Sequence, residues 1–178
     1  GFDREGIVGM FAALKTPHIF VALDRENQPA NVATIAAQLD AGVVVYAGNA
    51  EAVVQEVGPA TARVPVGDMP QGPVAPPAPL TDLARTAIYK RTSGSTGGAK
   101  TAAHTVEGLL GDAIPGAKIL ELSPGAKLSV VSTFDAALTS AATLRTILSG
   151  ATLLPVDLRF ESPKKAADRL IGEGLTHV

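Results

Sequence analysis

The run Thr92–Thr101, rich in hydroxyl groups and glycine, constrains this chain more than any other stretch of its sequence. Glycine lets a backbone turn closely around a ligand, and consecutive amides in such a turn form an anion-binding nest. Hydroxyl groups add hydrogen-bond donors, and Lys100 adds a positive charge. An apolar, strand-like run at residues 86–89 precedes the loop, and a helix-like run follows from about His104. A loop of this kind between a strand and a helix predicts a phosphate-binding site, and the alternative is a flexible surface turn.

Two known phosphate-binding patterns compete for this run. The Walker A pattern of P-loop NTPases fits from Gly94 except that Ala99 stands where the pattern needs glycine. The run resembles more closely the phosphate loop of the adenylate-forming superfamily, which includes acyl-CoA synthetases, luciferases and the adenylation domains of peptide synthetases. Here Ala99 replaces a proline and Thr101 replaces the final glycine of that pattern. The matching residues, called here the candidate phosphate loop (residues 92–100), are Thr92, Ser93, Gly94, Ser95, Thr96, Gly97 and Lys100.

Composition limits the classes of protein that fit. The chain has 178 residues, of which 46% are hydrophobic, enough to bury a core. Its net charge of −2 does not suggest nucleic-acid binding, and the absence of cysteine excludes disulfides and a thiol nucleophile. A chain without disulfides fits a cytoplasmic protein, and no apolar run approaches the roughly 18 residues of a membrane span, so we expect a cytoplasmic location without membrane contact. The chain starts without methionine and ends where a strand begins, so we expect a fragment of a longer polypeptide.

Alternating apolar and helical patterns predict an α/β fold with parallel βαβ units and helices on both faces of the sheet. Residues 1–67 are predicted to form a first lobe, residues 68–82 a proline-rich connector, and residues 83–178 a second lobe. In the second lobe we expect a short helix from Val106 to about Ala113, ended by Pro115. Further along, the patterns predict a strand at 128–133, a helix at 137–148, a strand at 151–154 and a helix from Pro163.

Three further segments extend the resemblance over most of the chain. They are similar, in order and spacing, to motifs of the first subdomain of adenylate-forming enzymes: Leu14–Asp24, Phe134–Ala137 and Leu148–Leu153. The second of these looks like the F-D-x-S motif of amino-acid-activating members, although Ala137 replaces its serine. The resemblance implies that Phe134 and Asp135 contact the substrate, with Asp135 pairing with an α-ammonium group. The alternative is that Asp135 caps the following helix.

The resemblance also implies a chemistry. The candidate phosphate loop would wrap the β- and γ-phosphates of ATP, taken with Mg²⁺, and Lys100 would neutralise the leaving pyrophosphate as a catalytic residue. The parent enzyme would activate a small carboxylic acid as acyl-AMP and pass it to a CoA or carrier-protein thiol. One departure is that Val106 stands where the family has a histidine, and His104 lies two positions earlier.

Two other functions remain open. A P-loop NTPase would use Asp135 as a Walker B aspartate for Mg²⁺. A non-catalytic scaffold derived from an adenylation domain would also fit the substitutions at Ala99 and Thr101. Because later motifs of the family are missing, we expect these residues to need the remainder of an adenylating enzyme and to be inactive alone.

Overall fold

The structure, a computed structural model, describes residues 4–24, 26–66, 75–79, 81–92 and 100–178. The described residues of Gly1–Ala22 and Pro79–Val178 form one compact unit, and those of Leu23–Ala78 form a second. The sequence instead assigned residues 1–67 to one lobe. The first 22 residues group with the later part of the chain because a strand at Phe20–Val21 pairs with one at Thr86–Thr92. The division into two lobes and a connector stays a prediction.

The described residues of the larger unit contain four helices and five strands. Its helices are α1 (Arg4–Leu14), α3 (Val106–Ile119), α4 (Ala137–Leu148) and α5 (Pro163–Gly172). Its strands are β1 (Phe20–Val21), β4 (Thr86–Thr92), β5 (Lys100–Thr105), β6 (Lys127–Val131) and β7 (Thr152–Val156). The smaller unit contains α2 (Pro29–Gln38), β2 (Val43–Tyr46), a 3₁₀ helix (Gly48–Val54) and β3 (Ala62–Pro65).

Parallel pairing confirms the predicted α/β class. β1 pairs with β4, β2 with β3, and β6 with β7, all in parallel. Helices cover both faces of the β6–β7 pair. Leu128 and Val130 pack with Ala142 of α4, whereas Leu154 and Val156 pack with α5. This alternation follows from the two-residue period of strand side chains.

One part of the topology differs from the prediction. β4 pairs with β5 in antiparallel orientation, so the strand of residues 100–105 includes His104, where the sequence indicated the start of a helix-like run. His104 lies in β5, opposite Ile88, and the helix begins at Val106, the start that the sequence predicted. Thr105 caps that helix by accepting a hydrogen bond from the Gly108 amide at 3.1 Å. Because residues 100–105 are paired in β5 and Thr105 caps α3, helical geometry cannot begin before Val106.

Helix α3 is longer than the sequence predicted. It continues through Pro115 to Ile119, although proline removes one helical hydrogen bond and crowds the preceding turn. Pro115 lies on the exposed side, whereas Leu109, Ala113 and Ala117 are buried on the other. The buried face packs on both sides of the proline and stabilises the helix there. Local helix propensity does not include this packing.

A cluster of buried apolar residues packs against the start of the β4–β5 hairpin. Ala87 and Ile88 of β4 pack with Met10 of α1, Leu109 and Ala113 of α3, and Leu144 of α4. All six residues are at most 7% exposed. The root of the hairpin is therefore fixed by side chains from three helices, and its two strands extend from this cluster towards the candidate phosphate loop.

Candidate functional site

The candidate phosphate loop begins and ends in a strand ladder. Thr92 is the last residue of β4, Lys100 is the first residue of β5, and the two are paired across the hairpin. Residues 93–99, which include Ser93, Gly94, Ser95, Thr96 and Gly97, lie outside the described residues, as do the side chains of Thr92 and Lys100. Their predicted contacts with phosphates stay a prediction. The ladder nevertheless fixes the two backbone positions between which the loop must run.

The turn at residues 133–137 forms the second part of the site. It joins the carboxyl end of β6 to α4 and carries Phe134 and Asp135. Ligands of open α/β sheets bind beyond the carboxyl ends of parallel strands, which is where this turn lies. The Ala136 amide donates to the Thr133 carbonyl at 3.2 Å, and the Thr139 hydroxyl donates to the same carbonyl at 2.6 Å.

Phe134 anchors this turn in the protein, and Asp135 points outward. Phe134 is 8% exposed and meets the ring of Phe20 edge-to-face, with centroids 6.0 Å apart and planes at 74°. Asp135 is exposed, and one of its carboxylate oxygens accepts a hydrogen bond from the Thr133 hydroxyl at 2.7 Å. This bond orients the carboxylate while leaving its other oxygen able to accept from a ligand.

The alternative role of Asp135 as a helix cap is wrong. Ala136 occupies the N-cap position of α4, in an extended conformation, and no side chain caps that helix. Asp135 lies one residue too early, and its carboxylate is engaged by Thr133 instead. A carboxylate that is accessible and not used by its own helix suits recognition of a cation, although its predicted pairing with a substrate ammonium group stays a prediction.

A group of ionisable side chains lies beside the hairpin. Lys90 and His104 lie on the same face of the β4–β5 ladder, because Lys90 pairs with Ala102 and His104 with Ile88. The Lys90 ammonium donates to the Ala137 carbonyl in the first turn of α4 at 3.2 Å. Burial lowers the pKa of Lys90, and the charge of Asp112 partly opposes that shift. Burial and then the charge of Lys90 lower the pKa of His104.

Asp112 itself is held by Arg145, which joins α3 to α4. The guanidinium donates to both carboxylate oxygens at 3.0 Å each. Gly116 makes this approach possible, because a Cβ atom at that position would overlap the Arg145 side chain. The two helices that flank the hairpin are therefore connected by an ion pair in which one guanidinium nitrogen, Nη2 of Arg145, meets both carboxylate oxygens of Asp112.

Sequence reasoning missed Lys90, Thr133, Thr139 and the Asp112–Arg145 pair as parts of the site. One signal was visible for Lys90, since two adjacent charges, Lys90 and Arg91, follow the apolar run just before the loop. The other contacts join residues far apart in sequence and carry no local pattern. Among the described residues, no group of three or more His, Cys, Asp and Glu side chains could hold a metal ion. Likewise, no helix in the described part of the chain has the length and apolar character needed to cross a membrane.

Comparison with known proteins gives similarity at the level of structure alone. No family model and no curated protein sequence matches the chain. Solved structures do. A nonribosomal peptide synthetase, FmoA3, superimposes with a TM-score of 0.85 at 17% identity over 97% of this chain. The N-terminal subdomain of Klebsiella oxytoca NpsA gives 0.79 at 16% over 98%, and a Mycobacterium tuberculosis fatty acyl CoA synthetase gives 0.77 at 14% over 93%.

These similarities establish the fold. The chain has the α/β fold found in the N-terminal subdomain of adenylate-forming enzymes, as the sequence motifs predicted. It spans 18% of the FmoA3 chain, 43% of the NpsA chain and 34% of the synthetase chain. Structures of FmoA3 were also solved in an AMPPNP-bound form and with α-methyl-L-serine-AMP.

Proposed function

We propose that the chain is the phosphate-binding part of an ATP-dependent, carboxylate-activating ligase that forms acyl-AMP and pyrophosphate before thioester formation. The observation that carries this proposal is the β4–β5 hairpin: the ladder ends at Thr92 and Lys100, where the hydroxyl- and glycine-rich sequence begins and ends. This hairpin lies within a fold shared, over nearly the whole chain, with proteins that include an AMPPNP-bound peptide synthetase.

The chemistry would proceed without a protein nucleophile. A carboxylate oxygen of the substrate attacks the α-phosphorus of ATP, the bond to the bridging oxygen of the β-phosphate breaks, and pyrophosphate leaves. The loop amides and hydroxyls would hold the β- and γ-phosphates, and the Lys100 ammonium would neutralise charge on the leaving group. Asp135 would accept hydrogen bonds from an α-ammonium group if the acid is an amino acid. The acyl group would then pass to a CoA or carrier-protein thiol.

Magnesium would enter with the nucleotide. The described residues offer no carboxylate cluster, so phosphate oxygens and water would supply most ligands, as is usual for Mg²⁺. When bound, the ion would neutralise phosphate charge. The chain's own contribution is to position the phosphates between Thr92 and Lys100 and the acid near Asp135.

The hairpin argues against the P-loop NTPase alternative. A Walker A loop leads directly into a helix whose N-terminus meets the phosphates. Here Lys100 begins β5, and α3 begins only at Val106. The scaffold alternative shares the fold and differs in having no nucleotide affinity, so binding measurements separate it from the ligase.

Calorimetric titration with MgATP tests the proposal. We expect binding to the 178-residue chain that falls at least about tenfold in Lys100→Met, since a full charge next to phosphates is lost. Lys118→Met removes an exposed charge from the last turn of α3 and serves as the matched control. Undetectable binding to the unmodified chain would favour the scaffold. Tighter binding by Ala99→Gly, together with release of ADP and phosphate, would favour the NTPase.

Pyrophosphate exchange with a panel of carboxylic acids tests the reaction itself. We propose that the 178 residues alone bind nucleotide without exchanging pyrophosphate. Exchange should appear when the chain is tested within a longer polypeptide that also carries the adenine-binding and C-terminal motifs of the family. Robust exchange by the 178 residues alone would contradict the proposed need for further domains, and would still support adenylation.

A further inference from the structure

A charged side chain reaches from the hairpin to the turn that carries Asp135. Lys90 precedes Thr92, the last residue of β4, by two positions, and its ammonium donates to the Ala137 carbonyl at 3.2 Å. Lys90 and Ala137 are 47 positions apart in sequence. Ala102 faces Lys90 across the ladder.

The position is electrostatically unfavourable for a cation. The N-terminus of a helix carries a partial positive charge, so anions rather than cations are stabilised beside the first turn of α4. Half-burial of Lys90 adds a desolvation cost that lowers the pKa of its ammonium, and the charge of Asp112 opposes that shift only in part. An apolar side chain would fill the same half-buried position without either cost. The ammonium therefore contributes something other than general stability.

The contact it makes is local to the turn. The Ala137 carbonyl also accepts a hydrogen bond from the Ser140 hydroxyl at 3.1 Å, so it is a point where several donors converge. Next to it, the Ala136 amide bonds to the Thr133 carbonyl, and the Thr139 amide bonds to the Ala136 carbonyl at 3.1 Å. The hydrogen bond from Lys90 of β4 to the Ala137 carbonyl restrains the turn at residues 133–137 relative to the strand.

We infer that Lys90 is a positioning residue that fixes the turn carrying Asp135 relative to the strand leading into the candidate phosphate loop. Its role in catalysis rests on the proposed function, in which the acid must meet the α-phosphate in a defined geometry. The restraint itself exists in the protein with or without a ligand. It can therefore be measured independently of any activity.

Amide hydrogen exchange by NMR measures the restraint. In Lys90→Met, which keeps the apolar stem, we expect the Ala136 and Thr139 amides to exchange about tenfold faster than in the unmodified chain. The Ala166 amide of α5 should exchange at an unchanged or slower rate, because the desolvation cost of the half-buried ammonium has been removed. Lys90→Arg keeps a cation and should restore slow exchange at the turn. Lys118→Met is the charge-matched control and should alter neither.

Three results of the exchange measurement would overturn the inference. Equal acceleration at the turn and at Ala166 would mean a loss of global stability and would overturn the inference. Unchanged exchange at the turn in Lys90→Met would overturn it as well, because the ammonium would then hold nothing in place. Failure of Lys90→Arg to restore slow exchange would also overturn it, because a cation at this position would then not hold the turn.

A titration with MgATP connects the restraint to the site. In the unmodified chain and in Lys90→Arg, we expect amide shifts at residues 93–97 to be accompanied by shifts at Ala136 and Thr139. In Lys90→Met only the loop amides should shift. Coupled shifts that persist in Lys90→Met would refute the coupling through Lys90. A titration in which no amide shifts would refute the proposed nucleotide binding, while hydrogen exchange would still decide the role of Lys90.

Discussion

Replacing Thr139 by valine separates a hydroxyl that holds the candidate site from hydroxyls that only fill a helix. Thr139 is 1% exposed, and its hydroxyl donates to the Thr133 carbonyl outside the helix at 2.6 Å. Thr143 is equally buried, on the same helix, but its hydroxyl donates to the Thr139 carbonyl of the preceding helical turn at 2.7 Å. Valine matches threonine in shape and in branching at Cβ. The same substitution at the two positions therefore differs mainly in which hydrogen bond it removes.

The expected cost at Thr139 is about 1 kcal/mol, the net value of one ordinary hydrogen bond. The cost is not larger because the Thr133 carbonyl keeps its bond from the Ala136 amide. At Thr143 the expected cost is close to zero, since the carbonyl that loses the hydroxyl lies within α4 and the new methyl group is buried. For a chain of this size, 1 kcal/mol corresponds to a fall in Tm of about 2–4 °C.

Thermal and urea unfolding, followed by circular dichroism, measure this difference. We expect Thr139→Val to unfold at lower temperature and lower urea concentration than Thr143→Val. We also expect Thr139→Ser, which keeps the hydroxyl, to lose less than Thr139→Val. Equal losses for the two valine variants would refute the idea that the Thr139 hydroxyl closes the turn.

Two further predictions concern the helices and the ionisable group beside the hairpin. Gly111→Ala, where a Cβ meets nothing within 4 Å, should stabilise α3 by about 0.5–1 kcal/mol in urea unfolding, whereas Gly116→Ala should not, unless Arg145→Ala also removes the overlapping guanidinium. His104 has a pKa below its ordinary value of 6.5 in the folded chain, so the unfolded chain binds a proton first as the pH falls below 6.5. Stability should therefore decline through that window, and His104→Gln should make the decline shallower; an unchanged slope would contradict a shifted histidine.

Local patterns predicted the elements whose boundaries are marked by their own residues. The predicted helix at residues 137–148 coincides with α4, and the predicted strand at 128–133 overlaps β6. Ser162 and Pro163 mark the start of α5, and the Ser162 hydroxyl accepts the Lys165 amide as an N-cap should. In these segments the residues that determine where an element begins or ends lie within a few positions of that boundary.

The predictions were wrong where contacts between residues far apart in sequence determine the local structure. β5 forms because it pairs with β4, and nothing within residues 100–105 distinguishes a strand from the start of a helix. Pro115 stays inside α3 because Ala113 and Ala117 are buried on either side of it. The restraints on the turn that carries Asp135 come from side chains on β1, β4 and α4, and sequence alone does not bring these together.

The hairpin separates the part of the chain that sets geometry from the part that would select a ligand. Pairing of Thr92 with Lys100 holds the ends of the intervening segment together before anything binds. The entropy of closing that segment is thus already lost in the unliganded protein, and a ligand need not repay it. A different sequence of the same length could be grafted between these two residues, and the scaffold beneath it would present the new loop from the same base.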